Sequence, residues 1–449
     1  MNLATKRLRM VKYFFILTCI PLITSCTSFT VEKGASEHSN QMNNEPEIQM
    51  ERLELPELKN IFADGETPDY TDAVQANRAF GMDWFEALLT DHGDGNVIVS
   101  PYSAAIALAM TFRGADGETF NEIAEALHAS DFEEADYHRQ QAALLRHLYH
   151  KKDDVMLATA NSIWHSQALP VSIPFLERME QYYGATVSGV DFSDPQTPGQ
   201  MNKWVSDNTM GKIKSIVPDT IEGDPFMYLI NALYLKAPWS DPFQKDHTED
   251  EPFRLPDGEM ITVPMMKRNQ TMQGSITDAF KAVRLGLGDK SELSMTLILP
   301  EEGKGWDDVR KALENSSNWL KSFQSYSIEL SLPKFRIEQE INLIPSFKQL
   351  GIEQVFDSQH SDLARMAGWD TKNGPRLFVD EALQKTFIDV DEDGLEAAAV
   401  TSIRAYPTSM PEPMTAIFDR PFYFLIEETN TGSVLFIGTV RDPRVPEQR

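Results

Sequence analysis

Polar and apolar positions change rhythm several times along this chain. Lys6, Arg7, Arg9 and Lys12 precede an apolar run from Tyr13 to Leu17 that continues to Ile20 and Leu22. A basic flank before a short apolar core predicts an export signal over residues 1–25, too short to span a bilayer comfortably. Residues 26 to about 70 lose apolar periodicity. SEHSNQMNNEPE at their centre cannot bury much surface, which predicts a flexible tether. From Thr71 a helical rhythm begins. Ala73, Phe80, Trp84 and Leu88 recur at helical spacing, and the DHGDG that starts at Asp91 stops the helix. SPYSAAIALAM from Ser100 predicts a second helix, and amphipathic stretches continue to about residue 215.

Beyond that point the period shortens. Phe226 to Leu235 is a long apolar run rich in aromatics, and Ser294 to Pro300 is another. Ser327 to Leu332 alternates as a half-buried strand does. The last two strands, PFYFLIEE and SVLFIGTV, are joined by Thr429-Asn430-Thr431-Gly432, which predicts a hairpin. Helices first, strands later and no βαβ rhythm predict an α+β fold with large mixed sheets, one domain over residues 71–449.

Residues 392–413 read EDGLEAAAVTSIRAYPTSMPEP. Pro407, Pro411 and Pro413 forbid a helix and suit a central strand poorly. Taken two by two, however, Leu395, Ala397, Ala399, Thr401, Ile403 and Ala405 form one small or apolar set. Glu396, Ala398, Val400, Ser402, Arg404 and Tyr406 form the other, which holds both charges. The segment is therefore patterned as a half-buried strand but punctuated as an exposed loop.

The composition, 41% hydrophobic and 10% aromatic, suits a filled core. The net charge of -27 excludes a nucleic-acid partner, because a phosphate backbone needs a basic footprint. Ile23-Thr24-Ser25-Cys26 resembles the bacterial lipobox, so the expectation is cleavage before Cys26 and lipid attachment to its thiol. Cys19 would leave with the signal, and no intramolecular disulfide could form. The protein is then expected in the cell envelope, anchored by lipid at the outer membrane or cell surface; a secreted protein cut nearby is the alternative.

Several catalytic look-alikes carry little weight. Gly286-Leu287-Gly288 starts like a dinucleotide loop but lacks the third glycine and a following helix. His147 and His150 could pair on a metal, yet no third ligand is near in sequence. Ser331-Leu332-Pro333-Lys334 and Ser206-Asp207-Asn208 echo penicillin-recognising enzymes in reversed order, with Pro333 breaking the helix such a serine and lysine need. No enzyme activity, metal or cofactor is expected.

Taken together and in order, several motifs resemble the serpins over nearly everything from Thr71 to Pro443. Glu392-Asp393-Gly394-Leu395-Glu396-Ala397-Ala398-Ala399-Val400-Thr401 looks like the hinge of inhibitory members. Asn96 to Ser103 matches the segment beneath their main sheet, and Asn202, Trp204, Thr209, Gly211, Lys212 and Ile213 match another family motif. Asn231 to Lys236, with Trp239 and Phe243, matches the strand that leads to the insertion point. Leu332-Pro333-Lys334-Phe335 and the C-terminal DRPFYFLIEETNTGSVLFIGTVRDP complete the set.

The resemblance implies a monomeric, single-use serine-protease inhibitor with an exposed reactive-centre loop. Cleavage is expected near Thr408-Ser409, with Ser409-Met410 as the alternative bond, followed by insertion of the hinge (Glu392, Gly394, Leu395, Glu396, Ala397, Ala398, Ala399, Thr401) into the main sheet. It further implies a sheet-opening cluster of Ser100, Ser103, Asn231 and Gln384, and an insertion mouth at Trp239 and Lys334, where Lys334 meets Glu392 in an exposed ion pair. Two positions depart from the family: Gln384 stands where histidine is usual, and Leu395 where a small Thr or Ser is common. The small residue Thr408 points to an elastase-like or subtilisin-like target. A papain-like cysteine protease, or no protease at all in a serpin-fold binding protein, are the alternatives.

Overall fold

The computed structural model describes residues 61–444, apart from 63–65, 67, 92, 149–154, 224, 316–321, 372–373 and 396–410. Its helices are α1 (Thr71–Asp91), α2 (Pro101–Gly114), α3 (Gly117–Ala126), α4 (Glu134–Leu148), α5 (Ile173–Arg178), α6 (Thr197–Asn208), α7 (Trp306–Asn315) and α8 (Ile344–Gln349). The strands run β1 (Val97–Val99), β2 (Met156–Ser166), β3 (Thr186–Val190), β4 (Met227–Pro238), β5 (Glu249–Arg254), β6 (Met260–Ile276), β7 (Phe280–Leu287) and β8 (Leu293–Pro300). They continue as β9 (Gln324–Pro333), β10 (Phe335–Asn342), β11 (Glu381–Val390), β12 (Gly394–Leu395), β13 (Glu412–Ile417), β14 (Phe422–Glu428) and β15 (Val434–Val440).

These strands form two mixed sheets, confirming the α+β class. A six-stranded sheet has the order β10-β11-β12-β4-β2-β3, and a nine-stranded sheet the order β1-β15-β14-β8-β7-β6-β9-β13 with β5 on β6. The expected C-terminal hairpin is present, with β14 antiparallel to β15. The helices-then-strands reading needs one correction: β2 and β3 lie inside the supposedly helical half. Met156–His165 is antiparallel to β4, and it is this non-local pairing that makes a strand of a small, polar stretch with little rhythm of its own. Gly286–Ser291, the dinucleotide look-alike, spans the end of β7 and the turn into β8, with Gly288 at φ +75°.

Strand β4 has two buried faces. Leu229, Leu233, Leu235 and Ala237 join the main core, while Tyr228, Ile230 and Ala232 join a second apolar cluster with Met201 and Val205 of α6. This double burial explains why the run from Phe226 read as continuously apolar. Asn231 falls on the core face between Leu229 and Leu233. A polar group at such a position must find hydrogen-bond partners.

The end of the presumed tether touches the body. The Phe62 ring lies beneath the guanidinium groups of Arg139 and Arg146 on α4, at 5.2 and 5.8 Å, and Glu66 pairs with Arg139.

Candidate functional site

The site starts from the way β4 and β11 meet. They are parallel neighbours from Tyr228↔Glu381 to Tyr234↔Phe387. Past Phe387 they part, and β12 fills the gap: Leu395 pairs with Val390 on one side and with Ala237 on the other, and Gly394 pairs with Pro238. The chain thus reverses within Asp391-Glu392-Asp393 and starts a new antiparallel strand in the middle of the sheet.

Local chemistry makes the reversal. The Asp391 carboxylate accepts from the backbone N–H of Asp393 (2.8 Å) and of Gly394 (3.2 Å), an Asx-type turn. Gly394 has φ +145°, and a Cβ there would lie 2.5 Å from the carbonyl oxygen of Ala237. Only glycine fits.

The turn is held from several directions. Trp239, 2% exposed, donates its indole N–H to the Asp391 carbonyl (2.8 Å) and its backbone N–H to that of Asp393 (3.0 Å). The Phe243 N–H donates to the Glu392 carbonyl at 2.9 Å. The Glu392 carboxylate receives Lys334 Nζ at 2.8 Å and Thr248 Oγ1 at 2.7 Å, and Lys245 Nζ reaches Asp393 at 2.8 Å. Burial alone would push the Glu392 carboxyl up, but the bonds from Lys334 and Thr248 outweigh it and hold the pKa below the usual range.

Two expectations change here. The hinge is not wholly exposed, because Leu395 is 1% exposed and belongs to the main core. Nor is the Lys334–Glu392 pair a surface contact: the Glu392 side chain is 7% exposed against 37% for Lys334. The apolar Leu395 side chain gains by burial where a Thr or Ser would need a partner, and this seats β12 in the sheet.

Lower in the sheet, Ser100, Ser103, Asn231 and Gln384 are hydrogen-bonded to one another. Gln384 accepts from the Ser100 N–H (2.8 Å) and donates to the Ser100 carbonyl (3.1 Å) and to Asn231 Oδ1 (2.7 Å). Asn231 donates to the Ser103 carbonyl (3.0 Å) and also meets Ser103 Oγ and Asn161 Oδ1. Ser100 caps α2, with its Oγ accepting from the Ser103 N–H at 3.2 Å. The Gln384–Asn231 bond crosses the β4–β11 seam. Any strand that slid further between them would have to break it.

Sequence reading missed Lys245, Thr248, Asp391 and Asp393 as hinge anchors, and Asn161 in the polar cluster. The Asp391-x-x-Gly394 spacing was a usable turn signal; the partners on β4 and near β5 were not visible in one dimension. Glu396, Ala397, Ala398, Ala399, Thr401, Thr408 and Ser409, and Cys26 at the other end, lie outside the described residues. The described chain resumes at Pro411, and β13 runs parallel to β9.

A six-stranded mixed sheet with the short strand β12 set between β4 and β11, beside a nine-stranded sheet, is a fold of the serpin kind. The family model described as "Serpin (serine protease inhibitor)" matches residues 75–443. The chain belongs to the serpin family. It is 31% identical over 382 residues to the human leukocyte elastase inhibitor, covering 82% of this chain and 98% of that one. It is 30% identical to human serpin B9, with the same coverage. Among solved structures, the native state of the thermophilic serpin tengpin matches with TM-score 0.76 and 28% identity, covering 84% of this chain and 95% of that one. Human thyroxine-binding globulin, at 24% identity and TM-score 0.75 over 84% of this chain and all of its own, shares the fold.

Proposed function

We propose that this protein is a single-use inhibitor of serine proteases, cut near Thr408-Ser409 and closed by insertion of its hinge into the six-stranded sheet. The observation that carries this is the seat of Leu395 between Ala237 and Val390. Continuing β12 by the same alternation would place Ala397, Ala399 and Thr401 on the core face beside Leu395, and these are the small or uncharged set. From Leu395 to Thr408 the inserted strand would extend roughly 46 Å, at about 3.3 Å per residue. A protease attached there as an acyl-enzyme is carried that distance, and its catalytic geometry is deformed before water releases it.

The uncut protein is then a kinetic trap whose missing strand is withheld. Thr408 suits a shallow elastase-type pocket better than an acidic trypsin pocket, which favours an elastase-like or subtilisin-like target, with papain-like cysteine proteases behind it. Mixing with neutrophil or pancreatic elastase at equal molar ratio tests this: an SDS-resistant adduct is expected, and its absence removes that target class. If the protein is instead a serpin-fold binding module, nicking the loop leaves the melting temperature unchanged, whereas insertion raises it sharply.

The lipobox-like Ile23–Cys26 further supports a lipid-anchored inhibitor at the outer membrane or cell surface, acting as a monomer. Labelling with radioactive palmitate, lost in Cys26→Ser, tests the anchor.

A further inference from the structure

Strands β4 and β11 stay paired up to Tyr234↔Phe387 and part beyond that rung, where β12 enters. Alternation along β4 puts Tyr234 on the face opposite to Leu233 and Leu235, and Phe387 lies beside it. Both rings are buried, yet they belong to neither of the two large apolar clusters. Two methionines pack on them: Met156 at the start of β2, and Met210 just past the end of α6. Lys212 Nζ lies 5.9 Å from the Tyr234 ring centre, and the Arg336 guanidinium 4.8 Å from that of Phe387.

Met210 is delivered to this pair by the turn that closes α6. Met210 and Gly211 are both left-handed, at φ +55° and +72°. The Gly211 N–H donates to the Ser206 carbonyl at 2.8 Å, the Lys212 N–H to that of Thr209 at 3.1 Å, and Thr209 Oγ1 to that of Val205 at 2.8 Å. A left-handed methionine is uncommon, and the bonds on both sides of it hold it there. Met156 is fixed from the other direction, by its pairing with Lys236 of β4.

A thioether suits such a bed, because sulfur is polarizable and packs well on aromatic rings. A sulfoxide does not, because it sets a strongly polar oxygen against apolar faces. Among the described residues every methionine is buried except Met156 and Met210, both partly exposed, and Met260, 57% exposed at the start of β6. An oxidant in solvent meets these three first. Oxidation of Met260 changes little, since its side chain already faces water. Oxidation of Met210 or Met156 changes the cover of the last rung of the β4–β11 seam.

We propose that Met210, with Met156 on the same aromatic pair, is a site of oxidative modification whose sulfoxide uncovers Tyr234 and Phe387 and loosens the fork that receives β12. The oxidant is a hydroperoxide. The sulfur lone pair attacks one oxygen of hydrogen peroxide, and the S–O bond forms as the O–O bond breaks. The hydroxide released takes the proton from the transferred oxygen and leaves as water. Sulfur gives up two electrons and the peroxide accepts them. The modification stands independently of any protease; only its consequence for loop insertion rests on the proposed trapping mechanism.

The test adds hydrogen peroxide to the folded full chain, follows each methionine by peptide mass mapping, and measures amide exchange over residues 234–237 and 387–390. Met260 should convert first, Met210 and Met156 next and the buried methionines last, with exchange at the fork rising several-fold as Met210 converts. Met210→Leu conserves volume and removes the oxidisable sulfur; it should lose most of that rise, whereas Met260→Leu should respond as the wild type does. The assignment is overturned if Met210 stays unmodified until buried Met295 converts, if exchange at the fork is unchanged once Met210 is fully oxidised, or if Met210→Leu responds like the wild type. No protease enters these readouts, so failure of the inhibitor reading would show separately.

Discussion

Gly394 lies against the backbone of Ala237 with no room for a side chain: a Cβ would stand 2.5 Å from the Ala237 carbonyl oxygen. That contact anchors the first residues of the hinge in the sheet, and each consequence of it can be measured.

Replacing Gly394 with alanine adds a clash to a backbone angle of φ +145° that L residues rarely adopt. The strain is about 2–3 kcal/mol, comparable to what a buried Leu395 side chain contributes. The variant should release β12, seen as fast amide exchange at Leu395. Unchanged protection there would mean that the glycine is not the constraint.

Leu395→Glu places a charge on the core face among apolar neighbours. The native protein should lose about 3 kcal/mol from lost apolar burial and carboxylate desolvation. Under the proposed trapping mechanism it should act more as a substrate, with less SDS-resistant adduct per loop cleaved. Adduct yield equal to the wild type would contradict insertion along this face.

Gln384→Ala strands Asn231 Oδ1 and the Ser100 N–H in a buried site, while the Ser100 carbonyl keeps the Ala104 N–H. The expected loss is about 3 kcal/mol in urea unfolding, with faster opening of the β4–β11 seam. Gln384→His retains a donor and an acceptor and should recover most of this loss.

Acidification acts through two groups whose windows open at different pH. His138 on α4 is held to a pKa of about 3 by burial first, then by Arg113 and Arg365. The unfolded chain takes up that proton near pH 6.5, so this stability is complete above 6.5 and declines at about 1.4 kcal/mol per unit below it. Denaturant midpoints between pH 7 and 5 should fall more for the wild type than for His138→Gln. Glu392 has a lowered pKa, so its contribution is present above the ordinary glutamate value and disappears only below about pH 4. Lys334→Ala should cost about 1 kcal/mol at pH 7, kept small by the partial exposure of Lys334, and progressively less as the pH falls below the ordinary glutamate range.

What the chain alone determined was periodicity and local chemistry. The helical spacing of Ala73 to Leu88 lies within α1, the alternation of Ser327 to Leu332 within β9, and the turn residues at Thr429–Gly432 join β14 to β15. The family motifs were equally legible, because each is a short run of residue types. Tertiary structure alone decided the partners. Period two marks the buried face of a strand but not its neighbour, so the meeting of Asn231 with Gln384, 153 residues apart, could not be read from either stretch. The same holds for β2, which is a strand because β4 lies beside it, and for Leu395. Its side chain declared only that it favours burial; the parting of β4 and β11 beyond Phe387 supplied the place.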